Sequence, residues 1–332
     1  MSYPKWIDKL PSEHKPMPIL SFPSAPLMGV SIYALTHDAN IQANGIVRVA
    51  QETNAAAAVT MMDLSLEAEA FGCTLHTSEN EVPTVVGALV TDEDEADELE
   101  IPQVGDARTG LYIEAAKKAK SRITDRPVLA GVIGPFSLAG RLMDVTEALA
   151  NCICDPDFVH AVMRKTTPFL IEYAKAYKAA GLDGIVMAEP LSGLLSPALE
   201  EEFSAPYCKE LIDAVQDDSF AVIYHNCGSN TPKMTDSLSS LGASAYHFGD
   251  AVQLEEILDK MPSDRVVMGN ISPSKQFLGG TPDSMAQAVK ELLEKCAGHK
   301  NFLLSSGCDI PPKSSWDNIR AFFRASEEFY AE

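Results

Sequence analysis

Phe220-Ala-Val-Ile-Tyr-His-Asn-Cys-Gly228 reads as a β-strand that runs straight into chemistry. Its first five residues are apolar or aromatic, and a glycine punctuates its end. Residues i and i+2 of a strand point to one face, so His225 and Cys227 share a face. Cys308 closes a second apolar run, Asn301-Phe-Leu-Leu-Ser-Ser-Gly-Cys308. One imidazole and two thiolates suit zinc, and three protein ligands leave a fourth position open, as in catalytic rather than structural sites. Taken singly, each residue is ordinary. A free cysteine in an apolar strand is most often a small buried hydrophobe. The metal reading gains weight because all three residues end strand-like segments.

Working outward, short apolar runs alternate with helical patterns along the whole chain. The runs are 18–22, 56–63, 128–134, 184–189, 221–225, 244–248, 266–270 and 302–306. Their near-continuous apolarity fits strands buried on both faces, as in a parallel sheet. Asp155-Pro156 opens a helical pattern that stops at Gly181, and further helices are expected from Pro282 to Lys295 and from Ser315 to Arg324. Eight strands alternating with helices predict an α/β fold, a (β/α)8 TIM barrel formed by 1–332 as a single domain. A doubly wound open sheet competes, but no Gly-x-Gly-x-x-Gly follows the first strand. Residues 64–109 break the rhythm with many turn residues and an acidic run, Thr91-Asp-Glu-Asp-Glu-Ala-Asp-Glu-Leu-Glu100. They are read as an inserted, lid-like excursion over the barrel mouth, the charge run itself being a solvated acidic loop.

Lys and Arg number 26 against 47 Asp and Glu, a formal net charge of -21. Such a surface repels nucleic acid and anionic membrane, so neither is an expected partner. Seven cysteines without dense spacing do not form a disulfide framework. The N-terminus lacks the apolar core of a signal peptide, and no run reaches the roughly 18 apolar residues of a membrane span. A reducing cytoplasm is the expected setting, and thiolate ligands stay available there.

In a barrel the chemistry lies at the C-terminal strand ends. Those ends carry Asp63, Glu189, His225 with Cys227, Asp250, Asn270, and Cys308 with Asp309. Asp63 is a candidate general base or substrate acceptor, or else a loop cap. Glu189 is a candidate fourth zinc ligand or acid/base, or else a carboxylate that satisfies backbone amides. Asp250 is a candidate acceptor orienting a zinc-bound His225, or else a cap for the helix after Gln253. His247, on the same strand, is read as a core residue.

With these residues in view, the chain resembles the corrinoid:coenzyme M methyltransferases, a branch of the uroporphyrinogen decarboxylase-like superfamily of (β/α)8 barrels. The resemblance rests on His225-x-Cys227 with distant Cys308. It extends through Met62-Asp-Leu-Ser-Leu-Glu-Ala-Glu-Ala-Phe-Gly72, Gly131-Val-Ile-Gly-Pro-Phe-Ser137, Glu189-Pro-Leu-Ser-Gly-Leu-Leu-Ser-Pro197, Gly269-Asn-Ile-Ser-Pro273 and Ser306-Gly-Cys-Asp-Ile-Pro311. It implies that zinc holds an acceptor thiol as a thiolate, which takes the methyl group of a methylated corrinoid carried by a separate small protein. The acceptor it implies, coenzyme M, has a sulfonate that needs a cation or a helix N-terminus, and Arg141 is the candidate anchor. Two alternatives stay open. A decarboxylase-like lyase would need arginines near the first strand, where Arg48 is the only one among the first 100 residues. A corrinoid- or thiol-binding barrel without catalysis is the other.

Overall fold

In the computed structural model, which describes residues 2–331, a parallel sheet forms the centre of the protein. Its strands are β1 (Ala58–Val59), β4 (Val128–Ile133), β5 (Gly184–Ala188), β6 (Ala221–Asn226), β7 (Ala245–Phe248), β8 (Val266–Ile271) and β9 (Phe302–Ser306), in that spatial order. Two further strands, β2 (Leu75–His76) and β3 (Thr84–Val85), pair antiparallel in a separate hairpin. This is a curled α/β sheet of the TIM-barrel kind, with seven of the eight expected runs holding its strands.

The first expected run departs from the forecast: 18–22 is extended but forms no regular strand. It nevertheless bridges the two sheet edges. Met17 N donates to Leu304 O of β9 at 2.9 Å, Ile19 N donates to Ser306 Oγ at 3.0 Å, and Pro16 O accepts from Ala56 N at 2.9 Å. The reason for the irregularity lies in the sequence. N–H groups alternate sides along an extended chain, and on the side facing β1 those of positions 16 and 18 are missing because both are proline. The second run, 56–63, is regular only over Ala58–Val59.

Side-chain alternation builds two apolar layers. Ala221 and Ile223 of β6 point inward with Leu129, Val186, Ala245, Met268 and Leu303. Val222 and Tyr224 point outward against the helices. The helices start and stop where turn chemistry dictates. Asp155 caps Pro156–Ala179 by accepting from Phe158 N at 3.3 Å, and Gly181 (φ +89°) ends that region in a conformation open to glycine. Thr281 and Ser284 form a reciprocal capping box at the start of Pro282–Cys296.

Residues 64–109 hold more order than a solvated loop. They contain a helix at Leu66–Ala70, the β2–β3 hairpin, and a six-residue helix at Glu93–Glu98 capped by Asp92. The acidic run is therefore helical. Ala96 is its one buried residue, and the acids face water. Among the described residues, no helix is long and apolar enough to cross a membrane.

Candidate metal centre

Inward alternation on β6 continues upward from Ile223 to His225 and then to Cys227, just past the strand end. Asn226, between the two, faces the other way and pins the loop: its Nδ2 donates to Ser192 Oγ at 2.9 Å, and its Oδ1 accepts from Gly228 N at 2.9 Å. The chain after β7 passes so near that a Cβ at Gly249 would lie 2.6 Å from Cys227 Cα. A side chain there would displace the sulfur.

His225, Cys227 and Cys308 converge. Their ligand atoms all lie within 4.8 Å of one another, and Cys308 Sγ is 3.5 Å from His225 Nε2. No other group of three or more His, Cys, Asp or Glu side chains among the described residues is similarly placed for a metal. Tetrahedral zinc with bonds of about 2.3 Å to sulfur and about 2.0–2.1 Å to nitrogen requires donors roughly 3.6–3.8 Å apart. The residues present fit that requirement with donor separations changing by no more than about 1 Å.

The tautomer of His225 follows from a hydrogen-bond chain anchored on a carbonyl. Met17 O can only accept, so Ser305 Oγ donates to it at 2.7 Å. Ser305 Oγ in turn faces His247 Nε2 at 2.8 Å and is left to accept from it. Burial, and then the neighbouring His225, hold the pKa of His247 well below the usual imidazole range, so His247 is neutral. Its proton lies on Nε2 and its Nδ1 is a lone pair, which accepts from His225 Nδ1 at 2.7 Å. His225 Nδ1 therefore carries a proton, so in the neutral ring Nε2, which faces the sulfurs, is the free nitrogen a ligand must offer. Parallel register creates this contact by placing His225 opposite His247 on β6 and β7.

The reading of His247 as a plain core residue missed this role, and the acceptor anticipated in Asp250 is supplied by His247 instead. Asp250 is exposed, and its charge opposes ionisation of Cys227. Nor does it cap the helix at Leu254–Leu258, whose N-cap residue is Gln253. The usable signal was the alternation itself: in parallel register, the histidine next to last in the following strand meets His225, itself next to last in β6. Replacing His247 with leucine is expected to weaken zinc binding roughly 10- to 100-fold. Glutamine in its place should restore part of the affinity by offering an acceptor to His225 and a donor to Ser305. Competition with a chromophoric chelator reads both values.

The two sulfurs are coupled. The hydrogen bond from Cys308 lowers the pKa of Cys227. The same bond, and then burial, push Cys308 up to about 12. Metal binding would displace the thiol protons of both.

The carboxylates at the other strand ends lie elsewhere. Glu189 is fully buried at the start of the helix Pro135–Met143, where its carboxylate accepts from Phe136 N at 2.8 Å, Ser137 N at 3.2 Å and Ser204 Oγ at 3.2 Å. Burial nevertheless raises its pKa to about 7. A Cβ at Gly134 would occupy the space of this carboxylate. Glu189 is not grouped with the zinc-type donors.

Asp63 is tied on both oxygens. Oδ1 accepts from Ser65 N at 3.1 Å and Ser65 Oγ at 2.6 Å; Oδ2 accepts from Arg108 Nη1 at 2.7 Å and Tyr112 OH at 2.8 Å. Arg108 also donates from Nε to Glu69 Oε2 at 2.6 Å. The sequence offered little sign of this network, because Arg108 lies at the end of the excursion, remote from Asp63 in the chain.

A cavity of about 260 Å³ opens between Met62 and Ser65 after β1, the hairpin residues Val82–Val85, Arg141 and Asp309, the residue that follows Cys308. Arg141 is half-buried and takes part in no ion pair or side-chain hydrogen bond among the described residues. Burial alone lowers its pKa.

A family model, "Uroporphyrinogen decarboxylase (URO-D)", matches residues 17–329. The chain belongs to this family. Within it, the chain is 26% identical over 271 residues to the methylcobamide:CoM methyltransferase MtbA of Methanosarcina acetivorans, covering 80% of this chain and 78% of that protein. It is also 24% identical over 240 residues to uroporphyrinogen decarboxylase 2, chloroplastic, of Arabidopsis thaliana, covering 70% and 58%. A solved structure described as a methyltransferase from Methanosarcina mazei superposes with a TM-score of 0.84 at 22% identity, over 95% of this chain and 94% of that one. Its relatives thus include proteins of the methyltransferase branch implied by the resemblance that rests on His225, Cys227 and Cys308.

Proposed function

We propose that this protein is a zinc-dependent methyltransferase, moving a methyl group from a methylated corrinoid on a small partner protein to a thiol of the coenzyme M type. The observation that carries the reading is the convergence of His225 Nε2, free of its proton, with Cys227 and Cys308. Zinc held there would keep an incoming thiol as its thiolate near neutral pH, where a free thiol, with a pKa of about 8.5, is mostly protonated. His225 would bind through Nε2 while His247 and Ser305 fix its ring. Cys227 and Cys308 would bind as thiolates, each giving up its thiol proton. As the sulfur–carbon bond forms, the cobalt–carbon bond breaks and leaves its electron pair on the corrinoid.

The rest of the chain takes supporting parts in this reading. Residues 64–109 fold over the mouth of a single (β/α)8 barrel, a placement supported by Val82–Val85 lining the cavity beside Cys308. Asp63 and Glu189 hold the local fold, since their oxygens are already committed to neighbours. For Asp63 this speaks against a decarboxylase-like role, because a substrate would have to displace Arg108 or Tyr112. The cysteines are all free, which suits a reducing cytoplasm.

Metal analysis of the purified protein is expected to give about one zinc per chain. With a thiol present, the protein should demethylate methylcobalamin, followed by its visible absorbance. Stripping the metal should stop the reaction and adding zinc should restore it. Undiminished turnover in the stripped protein would exclude this function.

A further inference from the structure

Cys227 and Cys308 lie just beyond the ends of β6 and β9, strands that β7 and β8 separate in the sheet. The curl of the sheet still brings their sulfurs within 4.8 Å of each other, and a hydrogen bond joins them. Two glycines permit this crowding. A Cβ at Gly249 would strike Cys227, and one at Gly307, next to Cys308, would lie 2.8 Å from Asp250 N. Both sulfurs are partly exposed. Of the other five cysteines, Cys73, Cys152, Cys208 and Cys296 are buried, and Cys154 is exposed at the end of the helix Val145–Cys154. Two accessible thiols in contact stand one two-electron oxidation away from a disulfide, whose sulfurs are about 2.05 Å apart. A zinc ion would hold them roughly 3.8 Å apart and occupy both.

We propose that the metal centre is also a redox switch: in the metal-free protein a peroxide closes Cys227 and Cys308 into a disulfide, which shuts zinc out until a dithiol reopens it. This rests on the reading of these residues as zinc ligands and adds the regulation of that site. One sulfur attacks a peroxide oxygen and the O–O bond breaks. The products are a sulfenic acid and, with hydrogen peroxide, a hydroxide that takes up the thiol proton and leaves as water. The second sulfur then attacks the sulfenic sulfur and the S–O bond breaks, so its own thiol proton departs in a second water. The two sulfurs together lose two electrons, and the peroxide gains them. Zinc binds thiolates, so a disulfide leaves it only His225. A dithiol reverses the step by exchange, becoming the disulfide itself. Disulfides of this transient, sensing kind are the ones expected in a reducing compartment.

The test treats metal-free and zinc-loaded protein with equimolar hydrogen peroxide, alkylates the remaining thiols and maps the unreduced peptides by mass spectrometry. In the metal-free protein the peptides bearing Cys227 and Cys308 should appear joined and lighter by two hydrogens, and free thiols should fall from seven to five per chain. Zinc uptake should be lost and should return after treatment with dithiothreitol. The zinc-loaded protein should stay unlinked over the same time. Cys154→Ser should leave the link in place, and Cys227→Ser should abolish it. Sulfinic or sulfonic acids without a link, a link between other cysteines, or equal linking of the zinc-loaded protein overturns the proposal. So does a linked protein that still takes up zinc normally. A working switch in a protein that moves no methyl group from methylcobalamin would sustain this inference and reject the methyltransferase reading.

Discussion

Cys308→Ala is expected to empty the metal centre and end methyl transfer while leaving the fold intact. The three donors divide the work unequally. An imidazole ligand brings no charge to a metal, so the two thiolates would supply the negative charge that a dication requires. Removing Cys308 leaves one nitrogen and one sulfur, too few for the three-ligand zinc sites known from catalysis. Loss of a supporting neighbour alone weakens such sites roughly 10- to 100-fold; loss of a ligand should exceed the upper figure. Zinc per chain should fall from about one to near zero after dialysis, with methylcobalamin demethylation falling in step. Stability of the metal-free form should change little, because Cys308 is partly exposed beyond the end of β9 rather than packed in the core. Full zinc and full rate in the variant would refute the assignment of Cys308, and a collapsed circular dichroism spectrum would show that the cysteine serves the fold instead.

The second large effect is on stability. Arg108→Met should destabilise the protein by about 3–5 kcal/mol, because the partner left behind is a carboxylate with a fully buried side chain. Asp63 would keep Ser65 and Tyr112 but lose Arg108, its one cationic partner among the described residues, and Glu69 would lose its ion pair as well. A fall of roughly 5–10 °C in the thermal midpoint is the expected reading. Adding Asp63→Asn to that variant should recover part of the loss, since asparagine can still accept from Ser65 and carries no charge to strand. This non-additivity is measurable as a double-mutant cycle. In the folded fraction, zinc content and methyl transfer per molecule should be near normal. A variant of normal stability that transfers no methyl group would show instead that Asp63 and Arg108 act in the chemistry.

The strands were readable wherever a run is apolar on both faces. Positions 128–133, 184–188, 221–226 and 302–306 are buried throughout, and no surface periodicity competes with that pattern. The run at 18–22 was misjudged because apolarity says nothing about hydrogen-bond donors, and prolines had removed them on the side facing β1. The acidic run at 91–100 was misjudged because charge hides a capped helical turn, with Asp92 accepting from Glu95 N. In the site, spacing of two on one strand was enough to put His225 and Cys227 on one face. Cys308 could be added because it ends another apolar run at the same level of the sheet.

The sequence by itself determined the ligand types and the layer they occupy, since strand alternation is a property of the local backbone. Partners that lie far apart in the chain were decided only by the tertiary structure. Strand register pairs His225 with His247, the packing of residues 64–109 delivers Arg108 to Asp63, and the hairpin closes a cavity around Arg141 and Asp309. Such contacts depend on which strands and loops become neighbours, and no local pattern of side chains encodes that choice.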